Sequence, residues 1–109
     1  RQLSPRDPLL FVADSWSALG HYVLEDYEQT VELCHRSLRQ NKDFIYTLVT
    51  ILAAYGQLAR HEEAQKCLRD LLTLVPEPSE QFVRTCYPFP DHALIERFLD
   101  GLKKAGVPL

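Results

Sequence analysis

The sequence has no methionine, one tryptophan, four glycines and three cysteines, and these shortages close off whole classes of function. No glycines cluster, so there is no Gly-rich loop on which backbone amides cradle a phosphate. Cys34, Cys67 and Cys86 are odd in number and form no CxxC pair, which argues against both a disulfide framework and a zinc ribbon and points to a reducing compartment. Lys and Arg are scattered singly, apart from Lys103 and Lys104. No basic stripe exists to release counterions from a nucleic acid. The longest charge-free stretch, Phe44 to Ala59, is interrupted by Thr47, Thr50 and Gln57 and is shorter than the roughly 18 apolar residues a membrane span needs. It reads as a buried helix. A chain that starts at Arg1 and contains no Met, with no signal peptide, reads as a segment of a longer protein.

What is present is ordinary for a water-exposed globular domain: 109 residues, 46% hydrophobic, 25% charged, net charge -3. This length supports one core and one domain, residues 1–109. The patterning is helical throughout. Asp7 before Pro8 reads as a helix start, after which Leu9 to Leu24 carries Asp14 as its one charge and apolar residues on more than one face. Such a helix needs neighbours on more than one side. Glu25 and Asp26 break the run, and Tyr27 to Gln40 places Tyr27, Val31, Cys34 and Leu38 at helical spacing on one face. Its other face is charged, with Glu32 and Arg36 in the favourable i, i+4 order.

The same alternation then returns. Phe44 to Ala59 is a nearly uncharged helix, Arg60 and His61 break it, and an amphipathic helix runs to about Leu74, stopped by Pro76 and Pro78. Ser79 to Cys86 reads as a short helical turn, and Tyr87-Pro88-Phe89-Pro90 is too rich in proline for helix. The last helix is capped by Asp91, with Leu94, Ile95, Phe98, Leu99 and Leu102 as its stripe, and ends at Gly106 and Pro108.

Two like pairs of helices imply an internal period, and one appears at 34 residues. It aligns Gly20 with Ala54, His21 with Tyr55, Thr30 with Ala64, Cys34 with Leu68 and Leu38 with Leu72. Identities are few, but residue class and helix boundaries repeat together. Each pair has an apolar face that it cannot bury alone, so stacking one pair on the next is the route to a continuous core.

On these residues the chain resembles the tetratricopeptide repeat family, whose unit is a 34-residue helix-turn-helix. The first repeat is residues 11–44, with Ala18 and Tyr27 at family positions. The second is residues 45–78, with Tyr55, Ala64 and Pro76 at theirs. Thr30 stands where the family has a small Ala, Lys42 where it has the closing Pro, and Glu25 and Leu52 where Gly is common. Leu3-Ser4-Pro5 is similar to the tail of a preceding repeat, and residues 89–109 resemble the closing helix of the C-terminal repeat region of bacterial class III adenylate cyclases and related regulators.

The resemblance implies an all-α, right-handed superhelix of helix-turn-helix repeats with a C-terminal capping segment, residues 79–109. It implies a non-catalytic protein-interaction module in a bacterial cytoplasmic signalling protein, binding a partner segment on an apolar concave face. The alternative it leaves open is a self-association or regulatory spacer for an adenylate cyclase-like enzyme whose catalytic domain lies elsewhere. The implied partner-binding positions are Val12, Ser15, Leu19, Tyr22 and Val23 in the first repeat. In the second they are Tyr46, Val49, Ala53, Gly56 and Gln57. Lys, Arg and Asn, with which some members clamp a C-terminal carboxylate, are missing from this wall. The expected partner is a protein or peptide, a homodimer being one form of it, with no nucleic acid, membrane, metal or cofactor.

The residues themselves say little for catalysis. His21, His35, His61 and His92 have no HxxxH spacing, so a metal site would have to be assembled from distant helices. Cys34 and His35 are adjacent on a helix and point about 100° apart, so Cys34 reads as a small core thiol. Trp16 and Tyr55 read as core, whereas Tyr22 and Tyr46 are balanced between core and partner contact. An apolar wall in a water-exposed protein is expected to be covered, and the last helix, Asp91 to Ala105, is expected to cover the end of the second repeat, leaving part of the wall free.

Overall fold

A computed structural model describes residues 10–87 and 91–109. The Asp7-Pro8 start, Leu9, the Leu3-Ser4-Pro5 motif and Pro88-Phe89-Pro90 lie outside the described residues. Those described form helices and no strands: α1 Leu10–Val23, α2 Tyr27–Gln40, α3 Ile45–Leu58, α4 His61–Leu74, α5 Glu80–Cys86 and α6 His92–Lys104. Each of α1 to α4 is 14 residues long. The expected helices all form, within a residue or two at each end that falls among the described residues.

The 34-residue period is visible in backbone geometry as well as residue class. At the end of α1 the amides of Glu25 and Asp26 bond to the carbonyls of Tyr22 and His21; at the end of α3 those of Ala59 and Arg60 bond to Gly56 and Tyr55. Every donor and acceptor is displaced by the same interval. Glu25 and Ala59 are both left-handed, with φ of 62° and 58°, a conformation for which glycine is the unstrained choice. The residues that follow, Asp26 and Arg60, share φ -93° and ψ 71°. Asp26 caps α2 by accepting from the Gln29 amide at 3.4 Å. Arg60 has no capping oxygen and instead forks onto Glu63.

Packing follows chain order up to α4: α2 lies against α1 and α3, and α3 against α4. Buried side chains of α1 (Ala18, Leu19, Tyr22) and α2 (Val31, Leu33, Cys34) meet those of α3. Thr30 and its period-mate Ala64 are both fully buried. Thr30 tolerates this because its hydroxyl donates to the Asp26 carbonyl at 2.9 Å. Asp14, 3% exposed, accepts both arms of Arg36 at 2.7 and 3.1 Å and ties α1 to α2. Arg36 thus serves α1 rather than its own-helix neighbour Glu32. Ser37 donates to the Phe11 carbonyl at 2.7 Å and meets the Thr47 hydroxyl at 2.9 Å, joining α1, α2 and α3.

α3 is the centre of the molecule, touching α1, α2, α4 and α6, and Thr47 to Gly56 are all buried. Its lack of charge is explained by this position. α6 lies along α3, within the expected second repeat, and reaches Tyr22 of α1, so its cover extends beyond that repeat. Close approach is possible because the two helices cross at glycines. A Cβ on Gly56 would fall 1.8 Å from the Gly101 carbonyl oxygen, and one on Gly101 2.5 Å from that of Ala53. Around the crossing Phe98, Leu99 and Leu102 are at most 1% exposed, each worth about 1.5–3 kcal/mol of apolar burial. No helix among the described residues is long and apolar enough to cross a membrane.

Candidate functional site

The ten positions implied by the family resemblance separate into two groups once α6 is in place. Tyr22, Ala53, Gly56 and Gln57 lie beneath it. Tyr22 is fully buried and its hydroxyl donates to the Arg97 carbonyl at 3.1 Å. Gln57 donates to the same carbonyl at 3.1 Å and to the Tyr22 hydroxyl at 3.3 Å. Arg97 replies by donating to the carbonyls of Tyr22 and Val23 at 2.9 and 2.8 Å, closing the C-terminal end of α1. Burial pushes the Tyr22 phenol up to about 12, because the charged form has no water in this position. This half of the wall is a helix–helix interface of the chain itself.

Among the described residues the other half is open. Val12, Ser15, Trp16 and Leu19 of α1 form one side of a cleft, and Phe44 with Tyr46, at the start of α3, the other. Tyr87, following α5, closes its base. The cleft has a volume of about 250 Å³. Of the implied positions, Val12, Ser15, Leu19 and Tyr46 line it, whereas Val49 is 1% exposed and belongs to the core. Val23, 41% exposed, lies at the far end of α1 in a second, more open depression with Leu94 and Arg97.

Trp16 differs from the expectation of a core residue, being 63% exposed at the cleft rim. The reason is helical phase. α1 buries Asp14, Ser15, Ala18, Leu19 and Tyr22, and position 16 is one step of about 100° further round, on the stripe shared with Val12 and Val23. Tyr46 is 44% exposed, and its ring meets Tyr87 edge-on with centroids 6.0 Å apart. Tyr87 is itself held by its hydroxyl, which donates to the Tyr46 carbonyl and lies 2.7 Å from the Thr50 hydroxyl.

Three lining residues were missed as site candidates. By sequence Trp16 reads as core, Phe44 as a helix start and Tyr87 as the lead-in to a proline stretch. The crowding of Phe44, Tyr46 and Tyr87 around one small region depends on chain segments about 41 residues apart, which no local spacing reveals. One available signal was the four-residue step from Val12 to Trp16, which places an indole beside an implied wall position.

Ser15 is 7% exposed and lines the cleft, and its hydroxyl makes no hydrogen bond among the described residues. None of the described residues lining the cleft carries a charge at neutral pH. The thiols and histidines are elsewhere. Cys34 is fully buried and its thiol is held well above the usual range by burial; that of Cys67 is pushed up to about 11 by burial, then by Asp70 and Glu63. His35 faces away from Cys34 in partnership, meeting the Tyr55 hydroxyl at 2.8 Å, while His21 and His92 lie near Asp26 and Glu96. Among the described residues no group of three or more His, Cys, Asp and Glu converges on a metal position. Neither a protein-family model, a curated protein nor a solved structure matches the chain.

Proposed function

We propose that the chain is a non-catalytic helical-repeat module of tetratricopeptide type that binds an apolar segment of a protein partner. Support for the repeat type comes from the four equal helices and the recurrence of the same left-handed turn at one 34-residue interval. Support for binding is a single observation: the open cleft, with Trp16 63% and Tyr46 44% exposed at its rim. Large aromatics beside an apolar recess are the residues that carry most of the energy in protein interfaces. The cleft offers no acid, base or thiol, so its chemistry is recognition. A cytoplasmic setting accords with three free cysteines.

A selection of random peptides on the immobilised protein tests this reading. Binders are expected to lose about 10-fold or more in affinity when Trp16 and Tyr46 are both changed to Ala, with helical circular dichroism unchanged. Peptides that bind the double variant as well as the parent would refute it.

Self-association, or a spacer role beside an upstream enzyme, has its own observation: Leu24 is 76% exposed next to Val23, beyond the reach of the cleft. A concentration-dependent mass in sedimentation that disappears in Leu24→Ser would favour it.

A further inference from the structure

We infer that the cleft receives one aromatic ring bearing its own hydrogen-bond donor, a tyrosine or tryptophan side chain of the partner, and that Ser15 Oγ pairs with that donor. This rests on the reading of the chain as an interaction module and names what the module recognises.

Volume sets the size of the occupant. At about 250 Å³ the cleft is larger than the roughly 150 Å³ that closes around a benzene. It is smaller than the roughly 300–1,000 Å³ of pockets that enclose cofactors or drug-sized ligands. One substituted or bicyclic ring is the match. Charge sets its polarity: the lining has no ionised side chain, so a Lys, Arg, Asp or Glu head would lose its hydration with no counter-charge in return.

Hydrogen bonding selects among neutral side chains. Ser15 is more than nine-tenths buried, lines the cleft and has no partner among the described residues. A leucine or phenylalanine entering the cleft would seal that hydroxyl in unpaired, which is the costly outcome for a buried polar group. A phenol O–H or an indole N–H satisfies it. The hydroxyl of Tyr87 is already committed to Tyr46 and Thr50, leaving Ser15 as the group that reads the ring.

Titration with p-cresol and toluene, followed by backbone amide chemical shifts, tests the ring directly. With p-cresol, shifts are expected at Val12 to Leu19 and at Phe44 to Tyr46. Ser15→Ala is expected to weaken p-cresol about three- to tenfold, the worth of one hydrogen bond, and to tighten toluene, which no longer strands a hydroxyl. Ser15→Leu, which fills the cleft, is expected to abolish both. Absence of these shifts, or equal binding of the two probes with no response to Ser15→Ala, would overturn the inference. So would much tighter p-cresol binding in Phe89→Ser, which would make this chain's own residue the competitor. Failure of the parent reading looks different: cresol binds at Ser15 as described, yet peptide selection yields nothing. Selected peptides that bind at Trp16 but lack Tyr and Trp would keep the module and sink the ring.

Discussion

The two ends of the α1–α3 wall are built from different materials. Beneath α6 the wall joins small residues, Ala53 and Gly56, to the polar ends of Tyr22 and Gln57, set against Gly101 and a carbonyl that takes hydrogen bonds from both polar ends. At the other end it is large and aromatic, with Trp16, Phe44 and Tyr46 around a recess holding an unpaired hydroxyl. The covered end has what a permanent helix–helix contact needs: backbones in close approach and the Tyr22 hydroxyl, the Gln57 amide and one arm of Arg97 all paired across it, with Arg97 Nε left as a buried donor without a partner. The open end has the opposite character. Its surfaces leave a recess of about 250 Å³ between them.

Three changes separate the ends, in falling order of effect on stability. Gly56→Ala drives a methyl group into the backbone of α6, and neither helix can yield without breaking its ladder. A loss of about 3 kcal/mol or more is expected in chemical denaturation. If instead α6 merely detaches, its amides will exchange quickly while those of α1 and α2 stay protected. Gly56→Ala with wild-type stability would mean that the helices do not cross at this point.

Alkaline pH loosens the same end more gently. The Tyr22 phenol has pKa 10.0 when unfolded and about 12 when folded, so above pH 10 the unfolded state loses its proton first. Its contribution is therefore complete below pH 10 and is lost as pH rises toward 12, by about 2 kcal/mol for a shift of this size. Burial raises Tyr55 and Tyr87 in the same direction. Tyr22→Phe is expected to flatten the slope between pH 10 and 12 without abolishing it. An unchanged slope would show that this phenol is not under α6.

The smallest effect belongs to the open end. Trp16→Ala removes the largest side chain in the protein, yet its indole is mostly in water, and stability is expected to stay within about 0.5 kcal/mol of the parent. Peptide binding is expected to fall at the same time. A loss of several kcal/mol would place Trp16 in the core after all and erase the contrast between the ends.

Much of this architecture was legible in the residues. Nearly uncharged runs marked α1 and α3, charged stripes marked α2, α4 and α6, and the 34-residue alignment anticipated turns whose hydrogen bonds repeat donor for donor. These features depend on neighbours a few positions apart, where spacing and geometry are tied together by the helical pitch. The position of the last helix was not legible. Its stripe of Ile95, Phe98, Leu99 and Leu102 announces that something will be covered, but apolar burial has no direction and several faces would accept it.

What the sequence determined by itself, then, is local: helix ends, which face of each helix is apolar, and the interval at which the pattern recurs. Tertiary structure decided where Gly56 and Gly101 meet, that Arg97 closes the end of α1, and that Trp16 stands in water while Tyr22 does not. The reason is steric. Helical periodicity requires only that apolar stripes be hidden, whereas choosing which stripe lies on which depends on the fit of particular surfaces, and here the fit is a backbone crossing that only two glycines allow.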